Sequence, residues 1–265
     1  MIYFVTFGGP TTEFHDSVLR ICKEAQNSRM FNQILGFTDH YLKMDTEFWK
    51  NHGSFLEQNK RGYGYWLWKS YINYKLSCYQ LEENDIVVYL DAGCKININQ
   101  VSLKRIQDYI DIVRNSQYGI LSFSLPGNPE QSYTKMDCIK HFEFEDSQES
   151  EQLVGGIFIY RVCKHTQELM TEWYNSCCNY HLLNDNPSVS PNYSGFYEHR
   201  HDQSVFSIIR KKKGTEILSD ETYWYPDMEM KRIKYPFWAL RKTQNKQSIN
   251  KISIKNNFII FNMKI

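Results

Sequence analysis

Apolar side chains fall along the chain in two alternating patterns. Short unbroken apolar runs, which are typical of buried strands, occupy residues 2–7, 34–38, 86–90, 118–123 and 157–160. Apolar residues at helical spacing, or in runs of helical length, occupy residues 13–27, 65–81, 103–113, 169–180 and 202–212. The alternation holds through at least residue 125. It predicts an α/β fold with a mixed, mainly parallel central sheet flanked by helices.

Two long stretches, residues 125–152 and 182–199, show neither pattern and are predicted to be irregular. Long loops inside a domain are often lids or binding loops. In mainly parallel sheets, ligands bind beyond the carboxyl ends of the strands. Phe7 and Gly8 lie at the end of one predicted strand, and Asp91 lies at the end of another. We therefore expect a binding site at this edge of the sheet.

Composition narrows the class of protein and its partners. Of the 265 residues, 42% are hydrophobic, and the formal net charge is +1, so we expect a globular protein with no field that attracts nucleic acid. The seven cysteines include no C-x-x-C pair, which suits reduced thiols in the cytoplasm. The opening MIYFVTFGG is read as a strand and not as a signal peptide. A cytoplasmic location is the resulting prediction.

The first candidate for chemistry is Asp91, in the stretch IVVYLDAGCKI. A carboxylate at the end of a buried strand is suited to holding Mg²⁺ or Mn²⁺, which prefer oxygen ligands and bridge to phosphates. The small residues Ala92 and Gly93 leave room for a ligand. The alternative is that Asp91 only caps the strand or forms a turn.

The second candidate is the stretch from Arg61 to Lys69, with the sequence RGYGYWLWK. Its two glycines permit close backbone approach at the start of a helix, where a phosphate binds favourably. Arg61 and Lys69 add positive charge, and Tyr65 lies between them. The alternative is a glycine-rich turn followed by an aromatic core helix.

Two further stretches complete the candidates. Gly155 and Gly156 directly precede a predicted strand, where they allow a ligand to lie against the backbone or simply form a bulge. The stretch EHRHDQS, residues 198–204, is the densest titratable cluster in the chain. Asp202 within it is either a helix cap or a carboxylate that binds sugar hydroxyls or acts as a general base. His199 or His201 would complete a metal site or lie in a solvated loop.

Taken in order, these stretches resemble a known family. An N-terminal strand is followed by G-Y-G-Y-W-L-W-K, Y-L-D-A-G, G-G-I-F-I-Y-R and H-D-Q-S-V-F-S. This order is similar to the small GT-A-type nucleotide-sugar glycosyltransferases of bacterial and large-virus surface-glycan loci, over about residues 1–225. The resemblance implies a Rossmann-like nucleotide-binding half, 1–125, and an acceptor and donor-sugar half, 126–225. The implied reaction moves a sugar from a nucleoside-diphosphate sugar to an acceptor hydroxyl.

The resemblance also implies roles for individual residues. Asp91 matches the first carboxylate of the family's Asp-x-Asp position, but Gly93 replaces the second, so a metal would be held by Asp91 with His199 or His201. Otherwise Arg61 and Lys69 would neutralise the leaving group. Phe7, Gly8, Tyr65, Ala92 and Gly93 are assigned to donor binding with them.

Gly155, Gly156 and Gln203 are likewise expected to face the donor sugar. Asp202 is the expected base if the anomeric configuration inverts, because the acceptor hydroxyl must lose a proton. If the configuration is retained, Asp202 is expected to orient the sugar. Either course develops negative charge on the departing diphosphate, which a cation or an Arg/Lys pair stabilises.

The C-terminal segment, residues 226–265, is predicted to be a basic aromatic extension packed on the domain. It contains the following basic and aromatic side chains: Lys231, Arg232, Lys234, Tyr235, Phe237, Trp238, Arg241 and Lys242. They suit either an anionic membrane surface and a lipid-linked acceptor, or an aromatic element packed on the core with its charges in water.

Two other functions fit part of the pattern. A sugar-phosphate nucleotidyltransferase would carry a long glycine-rich loop with a basic residue after the first strand, and Gly8-Gly9-Pro10 does not supply it. A non-catalytic nucleotide- or glycan-binding module on a decayed transferase fold is favoured by Gly93 in place of the second carboxylate.

Overall fold

The computed structural model describes residues 1–223, 233–240 and 258–260. Its central sheet contains the strands β1 (Ile2–Gly8), β2 (Gln33–Thr38), β3 (Ile86–Leu90), β5 (Ile120–Pro129), β6 (Glu151–Leu153), β7 (Ile157–Arg161), β8 (Glu216–Leu218) and β10 (Phe258–Ile260). The strand order is β10-β2-β1-β3-β7-β5-β6, and β8 pairs with β5. A small second sheet pairs β4 (Lys95–Ile96) with β9 (Phe237–Trp238).

The directions of the strands confirm the predicted mixed sheet. Parallel pairings join β10, β2, β1 and β3, and also β5 and β8. Antiparallel pairings join β3 to β7, β7 to β5 and β5 to β6. Because β7 is antiparallel to β3, the beginning of β7 lies beside the end of β3, where Leu90 pairs with Ile157.

Helices cover both faces of the sheet. They are α1 (Thr12–Ser28), α2 (Asp39–Met44), α3 (Thr46–Gln58), the single turn α4 (Gly62–Tyr65), α5 (Leu67–Lys75), α6 (Gln100–Asn115), α7 (Glu130–Tyr133), α8 (Met136–His141), α9 (Lys164–Cys178), α10 (Tyr180–Leu183) and α11 (His201–Lys213). The helix predicted over 65–81 begins two residues later, as α5 at Leu67, and ends in a π-helical turn from Leu76 to Gln80.

Alternation along the central strands produces two cores. Tyr3, Val5 and Phe7 of β1 face the core that contains α5, α9 and α11, whereas Phe4 faces the core that contains α1 and α6. The central strand β3 is buried along its whole length. Residues that follow this strand are therefore held by a scaffold packed on both faces.

The described part of the C-terminal segment packs on the core. Phe237 is buried and contacts the ring of Tyr109, and the Lys95 ammonium lies over the Trp238 ring. Lys231, Arg232, Arg241 and Lys242, on which the membrane prediction depends, lie outside the described residues. The domain boundary at residue 225 stays a prediction. Among the described helices, none has the length and apolar character required to cross a bilayer.

Candidate active site

All four predicted stretches meet at one buried ammonium group. The Nζ atom of Lys69, on α5, lies 3.1 Å from Oδ1 of Asp91 and 3.1 Å from Oδ2 of Asp202. Asp91 directly follows β3, and Asp202 lies in the first turn of α11. We call Lys69, Asp91 and Asp202 the Lys69 cluster.

A left-handed turn places Lys69 in this position. Gly62, Tyr63, Gly64, Tyr65 and Trp66 all have positive φ, from 50° to 80°. Such a conformation costs a non-glycine residue about 1–2 kcal/mol, so three of these five residues are strained. A Cβ on Gly62 would lie 2.4 Å from the Trp66 ring, so glycine is required there. The turn ends at Trp66, and α5 then directs Lys69 inward.

The charge of Lys69 is balanced inside the protein. Only 2% of the residue is exposed, and its Nζ also donates a hydrogen bond to the Gly155 carbonyl at 3.3 Å. Burial opposes the charged form, but the charges of Asp202 and Asp91 outweigh it and raise the pKa of Lys69 above its ordinary value. Lys69 is therefore a fixed cation at neutral pH.

The two carboxylates of the cluster differ in exposure. The Asp202 side chain is 5% exposed, whereas that of Asp91 is 36% exposed. Burial, with the neighbouring charge of Asp91, raises the pKa of Asp202 to about 6 although Lys69 opposes the shift. Asp91 is thus the carboxylate of the cluster that a substrate can reach.

Neighbouring backbone and side chains orient Asp91. Its Oδ1 accepts a hydrogen bond from the Tyr89 hydroxyl at 2.9 Å, and its backbone N–H donates to the Gly156 carbonyl at 2.9 Å. A Cβ on Gly156 would lie 2.6 Å from Oδ2 of Asp91. Glycine at position 156 is therefore a condition for the observed orientation of Asp91, and not only a bulge.

The fourth stretch contributes Gly155 and connects it to α11. The Gly155 N–H donates to Oε1 of Gln203 at 3.1 Å, and a Cβ on Gly155 would lie 2.7 Å from the Gln203 Cβ. Gln203 Nε2 in turn donates to Oε1 of Gln152 at 2.8 Å. The two predicted residues Gly155 and Gln203 are therefore direct partners.

Two residues that support this contact were not predicted from the sequence. Gln152 and Glu130 are both fully buried, and Gln152 Nε2 donates to Oε2 of Glu130 at 3.1 Å. Glu130 is also paired with the Lys211 ammonium at 2.9 Å. The one feature of the sequence that pointed to Gln152 was its position three residues before the paired glycines. Glu130 lies in a stretch predicted to be irregular, where no pattern marked it.

Three further residues predicted to bind the donor make their contacts outside the Lys69 cluster. Phe7 is a core residue whose ring stacks on Trp68 at 3.9 Å between centroids, and a Cβ on Gly8 would clash with the Phe14 carbonyl oxygen at 2.5 Å. Arg61 lies on the surface, where it pairs with Asp185 at 3.1 Å and Glu198 at 3.5 Å. Their roles in donor binding stay predictions.

Ala92, Gly93 and Tyr65 lie beside members of the cluster. Ala92 is buried, and its carbonyl accepts a hydrogen bond from Arg20 at 2.5 Å. Gly93 is half-buried in the turn after Asp91. The rings of Tyr65 and Trp66 lie against His201, with centroids 5.0 and 5.4 Å apart, and so connect the left-handed turn to the start of α11.

The histidines proposed as metal ligands are engaged elsewhere. His199 is buried, its Nε2–H donates to the Leu182 carbonyl at 2.8 Å, and its Nδ1 accepts from the Lys135 N–H at 3.3 Å. His201 Nδ1–H donates to the Leu183 carbonyl at 2.8 Å. Asp91 already has Lys69 as its cation. Across the described ranges, no three His, Cys, Asp or Glu side chains are grouped to hold a metal ion. The predicted Mn²⁺ or Mg²⁺ site at Asp91 with His199 or His201 stays a prediction.

Comparisons with known proteins find structural likeness without sequence likeness. No family model and no curated protein matches the sequence. The fold is similar to mouse xyloside xylosyltransferase 1, at 11% identity and a TM-score of 0.44, over 92% of this chain and 95% of that one.

It is also similar to a glycosyltransferase involved in the glycosylation of the major capsid of PBCV-1, at 10% identity and a TM-score of 0.47, over 89% of this chain and 91% of that one. A mannose-6-phosphate isomerase from Helicobacter pylori matches 66% of this chain and 75% of its own, at 14% identity and a TM-score of 0.34. At these values the likeness carries no argument about activity, which has to come from the site.

Proposed function

We propose that this protein is a glycosyltransferase that moves a sugar from a nucleoside-diphosphate sugar to an acceptor hydroxyl. The observation that carries the proposal is the Lys69 cluster, in which Lys69 holds Asp91 and Asp202 beside Gly155 and Gly156. The order of the motifs that supply these residues resembles nucleotide-sugar glycosyltransferases. The cluster also follows the carboxyl end of β3, where α/β folds bind their ligands.

Lys69 and Arg61 are the two cations that this proposal places near the diphosphate of the donor. Two bare carboxylates would repel an anionic donor, but Lys69 cancels one of the two charges. Protonation of Asp202, whose pKa is raised to about 6, would remove the other near that pH. Arg61 adds positive charge on the exposed side, although it is shared with Asp185 and Glu198. In the proposal, the positive charges of Lys69 and Arg61 reduce the cost of negative charge on the leaving group.

In this proposal the two carboxylates have different tasks. Asp91 is the exposed one, so it binds a sugar hydroxyl or accepts the proton of the acceptor hydroxyl. Asp202 is buried against Lys69 and positions that ammonium group. If the reaction inverts the anomeric centre, the base is therefore Asp91 and not Asp202. An NMR coupling constant of the anomeric proton in the product distinguishes inversion from retention.

Turnover of a panel of nucleoside-diphosphate sugars tests the function. We expect at least one donor to be consumed, and Asp91→Asn to lower its turnover by about 100-fold or more, in the range of a lost acid–base group. Asp108→Asn is the matched control, because Asp108 forms a surface pair with Lys104. Nucleotide binding without turnover of any donor would instead favour the non-catalytic binding module.

The acceptor is proposed to be a glycan or a lipid-linked saccharide. Lys234 and Trp238 belong to the basic aromatic segment that suggested a membrane surface. Co-sedimentation with anionic liposomes, measured for the full chain and after removal of residues 231–265, tests this contact. Equal binding by both proteins would remove the segment from the proposal.

A further inference from the structure

The segment between α10 and α11 is an irregular loop that is fastened to the body of the protein. We call residues 184–200 the 184–200 loop; it contains neither helix nor strand. Its beginning is held by Lys135, a residue with 2% exposure, whose Nζ donates to the Asn184 carbonyl at 3.0 Å and the Asn186 carbonyl at 3.2 Å. Because these hydrogen bonds join a buried ammonium group to two loop carbonyls, they fix the position of the beginning of the loop.

The middle of the loop is held by the beginning of α8. Asp137 accepts hydrogen bonds from the backbone N–H groups of Val189 at 2.6 Å and Ser190 at 2.9 Å. The Met136 N–H donates to Oδ1 of Asn192 at 2.8 Å. With anchors at its beginning and middle, the loop is a preformed surface and not a chain that must order when a ligand arrives.

The loop also borders the Lys69 cluster. Its members Asp185 and Glu198 both pair with Arg61, at the start of the left-handed turn that leads to Lys69. Its last residue, Arg200, immediately precedes His201 and Asp202. The end of the loop therefore leads directly, along the chain, to residues assigned to the donor.

Near that end the loop exposes one aromatic ring to solvent. Tyr197 is 77% exposed, yet its backbone N–H donates to the Ser132 carbonyl at 2.8 Å, so the backbone behind the ring is fixed. Its ring meets Tyr133 edge-on, with centroids 6.0 Å apart. The Arg200 guanidinium lies 3.6 Å over the Tyr133 ring and donates to Asn128 Oδ1 at 2.8 Å.

These features suit a sugar ring better than a lipid surface or an apolar peptide. One face of a pyranose is made of C–H groups that pack on an aromatic ring, and its rim carries hydroxyls that both donate and accept hydrogen bonds. Arg200, Asn128 and Glu198 form a group of hydrogen-bonding side chains next to Tyr133, the ring that Tyr197 contacts. A lipid surface would favour uniform positive charge, whereas this loop pairs acidic and basic groups.

We propose that the 184–200 loop is the acceptor-binding wall and that Tyr197 is the ring on which a pyranose of the acceptor stacks. The proposal rests on the proposed function for its biological meaning. The binding itself is a property of the loop and can be measured without any nucleotide. Tyrosine is effective in this role because its ring offers a large contact area at a small entropy cost.

The test is saturation-transfer-difference NMR of the full chain with methyl glucoside, methyl galactoside, methyl mannoside and methyl xyloside. We expect ring C–H signals from at least one pyranoside. Tyr197→Ala should weaken its affinity about tenfold or more, the cost of truncating a central aromatic contact. Tyr197→Phe should keep binding, since stacking needs the ring and not the hydroxyl. Tyr79→Ala is the control, because Tyr79 is 68% exposed on a different part of the surface.

Binding that persists in Tyr197→Ala, or absence of binding by all four pyranosides, overturns the proposal. Loss in both Tyr197→Ala and Tyr79→Ala also overturns it, because the effect would then not be specific to the loop. If the proposed function is wrong, no nucleoside-diphosphate sugar will be turned over. The NMR experiment measures pyranoside binding without a nucleotide, so its result does not depend on that outcome.

Discussion

Replacing Lys69 by methionine removes the cation of the Lys69 cluster while keeping a side chain of similar length. Each Lys69–carboxylate contact, at 3.1 Å, carries a gross attraction of about 5 kcal/mol at an effective dielectric constant of about 20. Desolvation of the ions offsets most of this attraction. Breaking a buried pair by removing one partner nevertheless costs about 3–5 kcal/mol, because a buried charge is left uncompensated. That is the loss we expect in the free energy of unfolding of Lys69→Met at pH 7.

Urea denaturation monitored by tryptophan fluorescence measures this loss. In an Asp202→Asn background the same substitution should cost about 2 kcal/mol less, since no buried carboxylate is then stranded. The control is Lys104→Met, whose surface pair with Asp108 should change stability by less than about 0.5 kcal/mol. If Lys69→Met costs less than about 1 kcal/mol, or if the two substitutions at 69 and 202 are simply additive, the cluster is not coupled as described.

Three further predictions test neighbouring parts of the account. Gly156→Ala should lower donor turnover about tenfold or more, because its Cβ would lie 2.6 Å from Asp91 Oδ2; unchanged turnover would show that this orientation of Asp91 is not needed. Burial holds the pKa of His199 well below its ordinary value of 6.5, so unfolding takes up a proton below about pH 6.5. The free energy of unfolding should therefore fall with decreasing pH, and His199 should contribute up to about 1.4 kcal/mol per pH unit to this fall. Denaturation at pH 7 and pH 5.5 should show a smaller fall in His199→Gln than in the wild type, and equal falls in the two proteins would refute the assignment. Mn²⁺ alone should not raise the melting temperature, since Asp91 already pairs with Lys69; a rise that Asp91→Asn abolishes would contradict this.

The fold was predictable because the central strands are buried on both faces and therefore appear as unbroken apolar runs. Residues 86–90 were predicted as a strand and form β3, with the same bounds. The direction of β7 was not predictable, since a buried strand has the same apolar pattern whether it pairs in a parallel or an antiparallel direction. The glycine-rich turn before α5 was predicted from Gly62 and Gly64, but the left-handed conformation of Tyr63, Tyr65 and Trp66 was not, because residues with a side chain rarely adopt positive φ.

The site was predictable as a set of stretches but not as a set of contacts. Lys69, Asp91 and Asp202 were all named from the sequence, yet nothing in their spacing showed that one ammonium joins both carboxylates. The relative exposure of Asp91 and Asp202 depends on tertiary packing, and the proposed function therefore gives them different roles from those expected. Glu130 and Gln152 act through buried hydrogen bonds, which leave no periodic trace in a sequence.

The central claim is that the Lys69 cluster, through Asp91, performs glycosyl transfer. Its most direct test is to measure turnover of the best donor and the Kd of the matching nucleoside diphosphate side by side in the wild type and in Asp91→Asn. We expect turnover to fall about 100-fold or more, while the Kd of the nucleoside diphosphate changes by less than about threefold. Turnover in Asp91→Asn within about twofold of the wild type would contradict it.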